Sequence, residues 1–348
     1  MLHLLKIKRN KNLFTESEDL EYKGHKVQGI IINGDLYLFN CPLHNTRHSA
    51  IFKALRFKDG KGVASWIILK QYFNNAKKNY ENERDALEDL DHESIIKMYD
   101  YSDEYLTLVI ENGEKGDLLE ILDKYCETKK INTANLQNTE SIFIDEKIIR
   151  TIIKQIVIAI DYAYEYEKSY CHRDLKLENI VLNKKGKLIL IDWGYADPYT
   201  NLLKFTDIPP PTERPGSPSY MSPEIVNYEN KRYCGHKSDI WSIGIIILTL
   251  YFGSFPFHYE GNSFKEIIDS QKKCPLYQML HNFKWDEYLS IFVSRFGSKN
   301  KMSSKLNDLL KKIFQSEEKR ITSKEFLNHE WMEGETVTNS ELLKYFNC

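Results

Sequence analysis

The feature that most constrains this chain is an abrupt change in residue pattern about a third of the way along it. Residues 26 to 70 are rich in β-branched and aromatic side chains and are punctuated by Asn33-Gly34 and Asp59-Gly60. That combination predicts a twisted antiparallel sheet with tight turns. Residues 74 to 90 switch to charged, helix-forming sequence, and two more strand candidates, Ile95 to Tyr101 and Tyr105 to Glu111, close a small α+β unit. From Leu118 onward helical patterns dominate, most clearly in Asp145 to Glu167, where isoleucines recur at helical spacing. A length of 348 residues suits about two domain-sized units, in keeping with that division. The polar stretch Glu127 to Ser141 reads as a surface insertion between the first two helices of the second unit. The most apolar run, Ile240 to Phe257, is at the short edge of a membrane span, contains Gly244 and Gly253 and directly follows Asp239, so it reads as a buried core helix.

Charge narrows the function classes. Lysine plus arginine number 48 against 50 aspartate plus glutamate, so no global basic field marks a nucleic-acid binder, and no nucleic-acid partner is expected. The six cysteines, Cys41, Cys126, Cys171, Cys234, Cys274 and Cys348, form no CxxC pair, which argues against a zinc site or a disulfide scaffold and fits a reducing compartment. The first residues, MLHLLKIKRNK, have too few apolar positions for a signal-peptide core. With no transmembrane segment expected, the default location is the cytoplasm, with the nucleus left open.

Chemistry is concentrated in the run His172-Arg173-Asp174-Leu175-Lys176-Leu177-Glu178-Asn179, followed after two predicted strands by Asp192-Trp193-Gly194. These segments resemble the catalytic loop and metal-binding motif of the protein kinases, and the resemblance extends over roughly residues 26 to 332. Phosphoryl transfer requires in-line placement of a hydroxyl and neutralisation of triphosphate charge, and these residue types suit that task. The resemblance implies Asp174 as the carboxylate that takes the substrate hydroxyl proton, and Lys176 as a cation near the transferring phosphate, the lysine being similar to the serine/threonine group. It implies Asn179 and Asp192 as hard oxygen ligands for Mg²⁺, with ATP as the phosphate donor and proteins bearing Ser or Thr acceptors as substrates.

Upstream, Trp66-Ile67-Ile68-Leu69-Lys70 resembles the strand whose lysine holds the ATP phosphates, and Glu83, thirteen residues on, resembles the helical glutamate that pairs it. Leu106 to Glu111 resembles the strand into the hinge, with Ile110 as gatekeeper and backbone groups of Glu111 and Gly113 facing adenine. Asp117 stands where the family places an acidic residue near ribose or a basic substrate residue, and it serves equally well as the N-cap ahead of Leu118. Gly216 to Glu224 resembles the end of an activation segment, Asp239 to Gly244 a central helix, and Glu224 with Arg320 a buried ion pair. The implied fold is α+β and bilobal: a small antiparallel-sheet N-lobe with one main helix over 26–111 and a larger, mainly helical C-lobe over 114–332. Residues 1–25 form an N-terminal extension and 333–348 a C-terminal tail.

The family's GxGxxG loop is missing. One register puts it at Ile32 to Phe39 and keeps only Gly34; the other puts it at Cys41 to His48, with no glycine. We take Gly34 as the phosphate-loop glycine. Gly60 and Gly62 stand too close to Lys70 for two strands to intervene, so Lys58 to Gly62 reads as a hairpin turn. Ile68 fills the place of a smaller residue, and Trp193 replaces the usual phenylalanine, as in casein kinase 2, and reads as a packing variant. The lost glycines keep open an alternative in which the chain is a pseudokinase acting as a scaffold. In the activation segment, Glu213 occupies a place where many relatives carry a phosphorylated threonine, with Thr212 beside it.

Overall fold

The computed structural model describes residues 20–22, 25–58, 64–113, 115–128, 144–198, 216–227, 233–257, 260–261, 263–296 and 302–347. The chain divides into two compact units, Met1–Asn112 and Gly113–Cys348. Unit 1 is the expected sheet and helix. Its strands are β1 Leu20–Tyr22, β2 His25–Ile32, β3 Asp35–Phe39, β4 His44–Asn45, β5 Ser49–Phe57 and β6 Ala64–Tyr72, followed by helix α1 Lys77–Asp89 and strands β7 Met98–Ser102 and β8 Thr107–Ile110. All pairs are antiparallel, in the order β1-β2-β3-β5-β6-β8-β7, with β4 paired to β5. The alternation of side chains along each strand sends Tyr37, Phe39, Phe52, Ala54, Ile67, Leu69 and Val109 into one buried cluster. The sheet curls: the amide of Asn33, in the β2–β3 turn, donates to Asp100 on β7 at 2.6 Å.

This order corrects the Gly34 assignment. Asn33 (φ 48°) and Gly34 (φ 93°) are the two left-handed residues of a two-residue hairpin between β2 and β3, where Asn-Gly is favoured because both positions need positive φ. Strand β5, not β3, lies beside the Lys70 strand, in the register Ile51 to Lys70. The segment joining β3 to β5 is therefore 40–48, which contains the glycine-free alternative, Cys41 to His48. A turn motif and a phosphate loop look alike in sequence when only one glycine remains, and only the pairing order separates them. The turn read at Lys58 to Gly62 falls largely outside the described residues.

Unit 2 begins with α2 Leu118–Thr128 and α3 Glu146–Glu165. The Asp117 side chain caps α2 by accepting the Glu120 N–H at 2.9 Å, so the N-cap reading describes its geometry. Most of the polar insertion read at Glu127 to Ser141 lies outside the described residues. Short strands β9 Tyr170–Cys171, β10 Ile180–Leu182, β11 Leu188–Leu190 and β12 Asp197–Pro198 pair as β10-β11 and β9-β12, framing the catalytic-type loop. After α4 Pro223–Val226 comes α5 Gly235–Phe252, where every residue from Ser238 to Phe252 is buried. Burial on all faces explains its largely apolar composition. Among the described residues no helix is long and apolar enough to cross a membrane.

Packing continues past residue 332. The Arg150 guanidinium donates to the carbonyls of Trp331 and Glu335, both at 2.5 Å. A last helix, Asn339–Tyr345, buries Leu342, and Tyr345 stacks on Tyr125 of α2 at 5.3 Å. The segment read as a tail is thus bound to α3 by hydrogen bonds and to α2 by aromatic contacts, neither of which carries a local motif.

Candidate active site

In unit 1, β6 and α1 bring Lys70 and Glu83 together: the ammonium donates to Glu83 Oε2 at 2.6 Å. Lysine is 5% exposed and glutamate fully buried, so each charge depends on the other to offset lost solvation. Tyr72 also donates its hydroxyl to Glu83 Oε2, a partner the sequence reading did not single out. Ile68 on β6 stands opposite Ile110 on β8, both beside the lysine's strand position. The Glu111 N–H is spent on Lys97 O at 2.8 Å, which leaves its carbonyl as the backbone group free of that strand bond.

In unit 2, Gly113 packs so closely on Val181 that an added Cβ would come within 2.7 Å of a Val181 methyl. The loop after β9 is held from below by Asp239 of α5. Its two carboxylate oxygens accept the His172 and Arg173 N–H groups, each at 2.8 Å. Burial outweighs the opposing pull of the two backbone donors and pushes the Asp239 carboxyl up to about 7. His172 accepts the Asp174 N–H on Nδ1, so its Nε2 carries the proton and donates to Ile191 O at 3.0 Å. Complete burial holds this imidazole below its usual range, consistent with that neutral tautomer. Arg173 takes φ 63° and sends Nε to the Tyr195 carbonyl at 2.7 Å.

On this support four side chains meet. Lys176 Nζ donates to Asp174 Oδ2 at 3.0 Å and to Ser217 Oγ at 2.9 Å. Ser217 Oγ donates to Asp174 Oδ1 at 3.0 Å, and Asn179 Nδ2 donates to the Asp174 carbonyl at 2.8 Å. Burial pulls the lysine down, but the carboxylates of Asp174, Asp192 and Glu178 together outweigh it and hold the ammonium above its ordinary range, so Lys176 is charged. Ser217 was legible only as part of Gly216 to Glu224; its bond to Asp174 needs the backbone of Gly216, at φ 98°, where a Cβ would lie 2.6 Å from the Arg173 carbonyl. Residues 199–215, with Thr212 and Glu213, lie outside the described residues.

A hard divalent cation fits this donor set. Asn179 commits its amide nitrogen to the loop, so Oδ1 is the atom it has to offer, and Asp192, in a left-handed conformation (φ 64°) after β11, adds a carboxylate whose field reaches Lys176. Trp193 is buried with its ring 4.7 Å from that of His172, a packing position. Further along, Arg320 forms the expected bidentate pair with Glu224, at 2.5 and 3.0 Å, and also donates to the Lys237 and Gln315 carbonyls. These bonds satisfy both terminal nitrogens of a buried guanidinium, while its Nε is left without an acceptor.

The fold and this loop define a protein of the kinase class. A family model of the protein kinase domain matches residues 46–332, most of the chain, and the chain belongs to that family. It is also similar to the serine/threonine-protein kinase CHK1 of Saccharomyces cerevisiae, with 28% identity over 247 residues, 69% of this chain and 39% of that relative. The chain thus spans about two fifths of the length of the curated relative it matches. ATP and Mg²⁺ are general to the family.

Proposed function

We propose that the chain is a serine/threonine protein kinase that transfers the γ-phosphoryl group of MgATP to protein hydroxyls. The observation that carries this reading is the closed network of Asp174, Lys176, Ser217 and Asn179, formed on a loop whose backbone is held by Asp239. The similarity to a relative named a serine/threonine kinase supports the acceptor class, as does the lysine two residues after Asp174.

In this reading the Asp174 carboxylate accepts the proton of the substrate hydroxyl as its oxygen bonds to the γ-phosphorus and the bond to the bridging oxygen breaks, releasing ADP. Lys176, kept charged by Asp174, faces the negative charge of the transferring group. Asn179 Oδ1 and Asp192 would hold Mg²⁺, which would neutralise triphosphate charge when bound. Lys70, oriented by Glu83, binds the α- and β-phosphates, and the Glu111 carbonyl and Gly113 backbone receive adenine. With no glycine in 40–48, part of that segment is pinned to β5, the Leu43 N–H to Ile51 O at 2.7 Å and the Thr46 N–H to Ser49 O at 2.8 Å.

The test is MgATP-dependent phosphorylation of a mixed peptide library by the wild type and by Asp174→Asn. Transfer by the wild type alone supports the kinase. Equal background from both would favour the scaffold reading that the missing glycines suggest.

A further inference from the structure

Lys70 and Tyr72 are two apart on β6, so strand periodicity points both side chains to one face, and that face meets Glu83 of α1. Both donate to the same carboxylate oxygen, Glu83 Oε2. The Lys70 ammonium also lies 5.0 Å from the centre of the Tyr72 ring, within reach of its negative face. One tyrosine thus touches both halves of the ion pair, its hydroxyl on the anion and its ring on the cation.

The tyrosine is itself held. It is 1% exposed, and its ring meets Tyr80 edge-on at 5.9 Å. Tyr80 lies three residues before Glu83 on α1, on the same helix face. Its hydroxyl donates to Asp103 at 2.8 Å, which also takes Arg84 at 2.6 Å. Only four residues, Phe73 to Ala76, join β6 to α1, and the Ala76 N–H is bonded to Phe73 O at 2.8 Å, so the helix leaves the strand at a set angle. Every one of these contacts lies inside unit 1.

We infer that Tyr72 is a positioning residue for nucleotide binding: its hydroxyl holds Glu83 in the orientation that presents Lys70 to the phosphates. A buried ion pair is stabilised only when geometry and extra hydrogen bonds compensate its desolvation, and Tyr72 supplies one such bond. This bears on nucleotide binding because, in the kinase reading, Lys70 is the side chain of unit 1 that meets the phosphates. The inference rests on the kinase reading for its catalytic consequence, though not for the effect on nucleotide affinity.

The experiment is a double-mutant cycle with Tyr72→Phe and Glu83→Ala, read as kcat and KM for ATP and, in parallel, as calorimetric binding of a non-hydrolysable MgATP analogue. Tyr72→Phe removes one oxygen and keeps the ring. It is expected to weaken analogue affinity and kcat/KM for ATP about tenfold or more, the worth of a hydrogen bond to a charged group, while kcat at saturating ATP falls less. In the Glu83→Ala background the same change is expected to have less than about a threefold effect, because its partner is gone. Equal losses in both backgrounds, an unchanged affinity, or a Tyr72→Phe chain that no longer folds would each overturn the inference and leave Tyr72 a packing residue. If the wild type binds the analogue with this coupling but transfers no phosphate to any peptide, the kinase reading falls and the positioning role stands. Absence of analogue binding by the wild type would remove both.

Discussion

Replacing Ser217 by alanine isolates one corner of the Asp174 network to which the proposed function assigns catalysis. The hydroxyl donates to Asp174 Oδ1 at 3.0 Å and accepts from Lys176 Nζ at 2.9 Å, so its loss takes a donor from the carboxylate and an acceptor from the ammonium. Asp174 Oδ2 keeps Lys176 at 3.0 Å and Asn179 at 3.2 Å, so the carboxylate stays anchored on one oxygen and can rotate on the other. Hydrogen bonds to charged groups contribute about 1.5–3 kcal/mol each, and one such bond lost in the transition state lowers kcat by about 10- to 100-fold. Neither lost bond involves Lys70 or Glu83, so KM for ATP should move less than about threefold. Ser217→Thr keeps the hydroxyl and should stay within about fivefold of wild type. Steady-state phosphorylation of a peptide at varied ATP measures all three. A Ser217→Ala kcat within twofold of wild type, or a loss carried wholly by KM for ATP, would refute the claim that Ser217 orients the catalytic carboxylate.

The other expectations are briefer. Asp174→Ala should lower turnover by at least about 10²-fold with ATP affinity little changed, checked by kinetics beside analogue binding on protein from a kinase-free source. Asp192→Ala should shift the Mg²⁺ dependence of activity to higher concentration, and a metal titration identical to wild type would count against its role as ligand. Acid should destabilise unit 2 through His236 and His281, both pushed down to about 3 by burial. Because the folded values lie below the unfolded one of about 6.5, the unfolded chain binds more protons, so the stability is fully present above that value and is lost as pH falls toward the folded one. From pH about 7.5 to about 5.5 each histidine should cost about 1.4 kcal/mol. His281 stacks on Tyr277 at 3.7 Å, so His281→Phe keeps a ring there, and urea melts at both pH values should show the slope flattened by that one share.

Much of this protein was legible along the chain. The sheet, helix α1, the helical second unit, the buried α5 and the Glu224–Arg320 pair follow from periodicity and from motifs whose members lie close in sequence or match a known pattern. The Asn33-Gly34 turn was also legible as a turn. Its misassignment as a phosphate loop arose because glycine reports only that positive φ is tolerated, a need shared by hairpins and phosphate cradles. The pairing of β5 with β6 settles which of the two it is.

What the sequence by itself determined is the inventory: which residues can accept a proton, bear a cation or ligate a hard metal, and which segments are strands or helices. Those properties belong to single side chains and to local periodicity, so they survive without a third dimension. The tertiary structure decided the partnerships. Ser217 reaches Asp174 from 43 residues away, Asp239 holds the His172 loop from 67 away, and the closing helix finds Tyr125 at a separation of 220. Hydrogen bonds act over about 3 Å and depend on direction, so no residue type announces such a partner until the backbone has brought the two groups together.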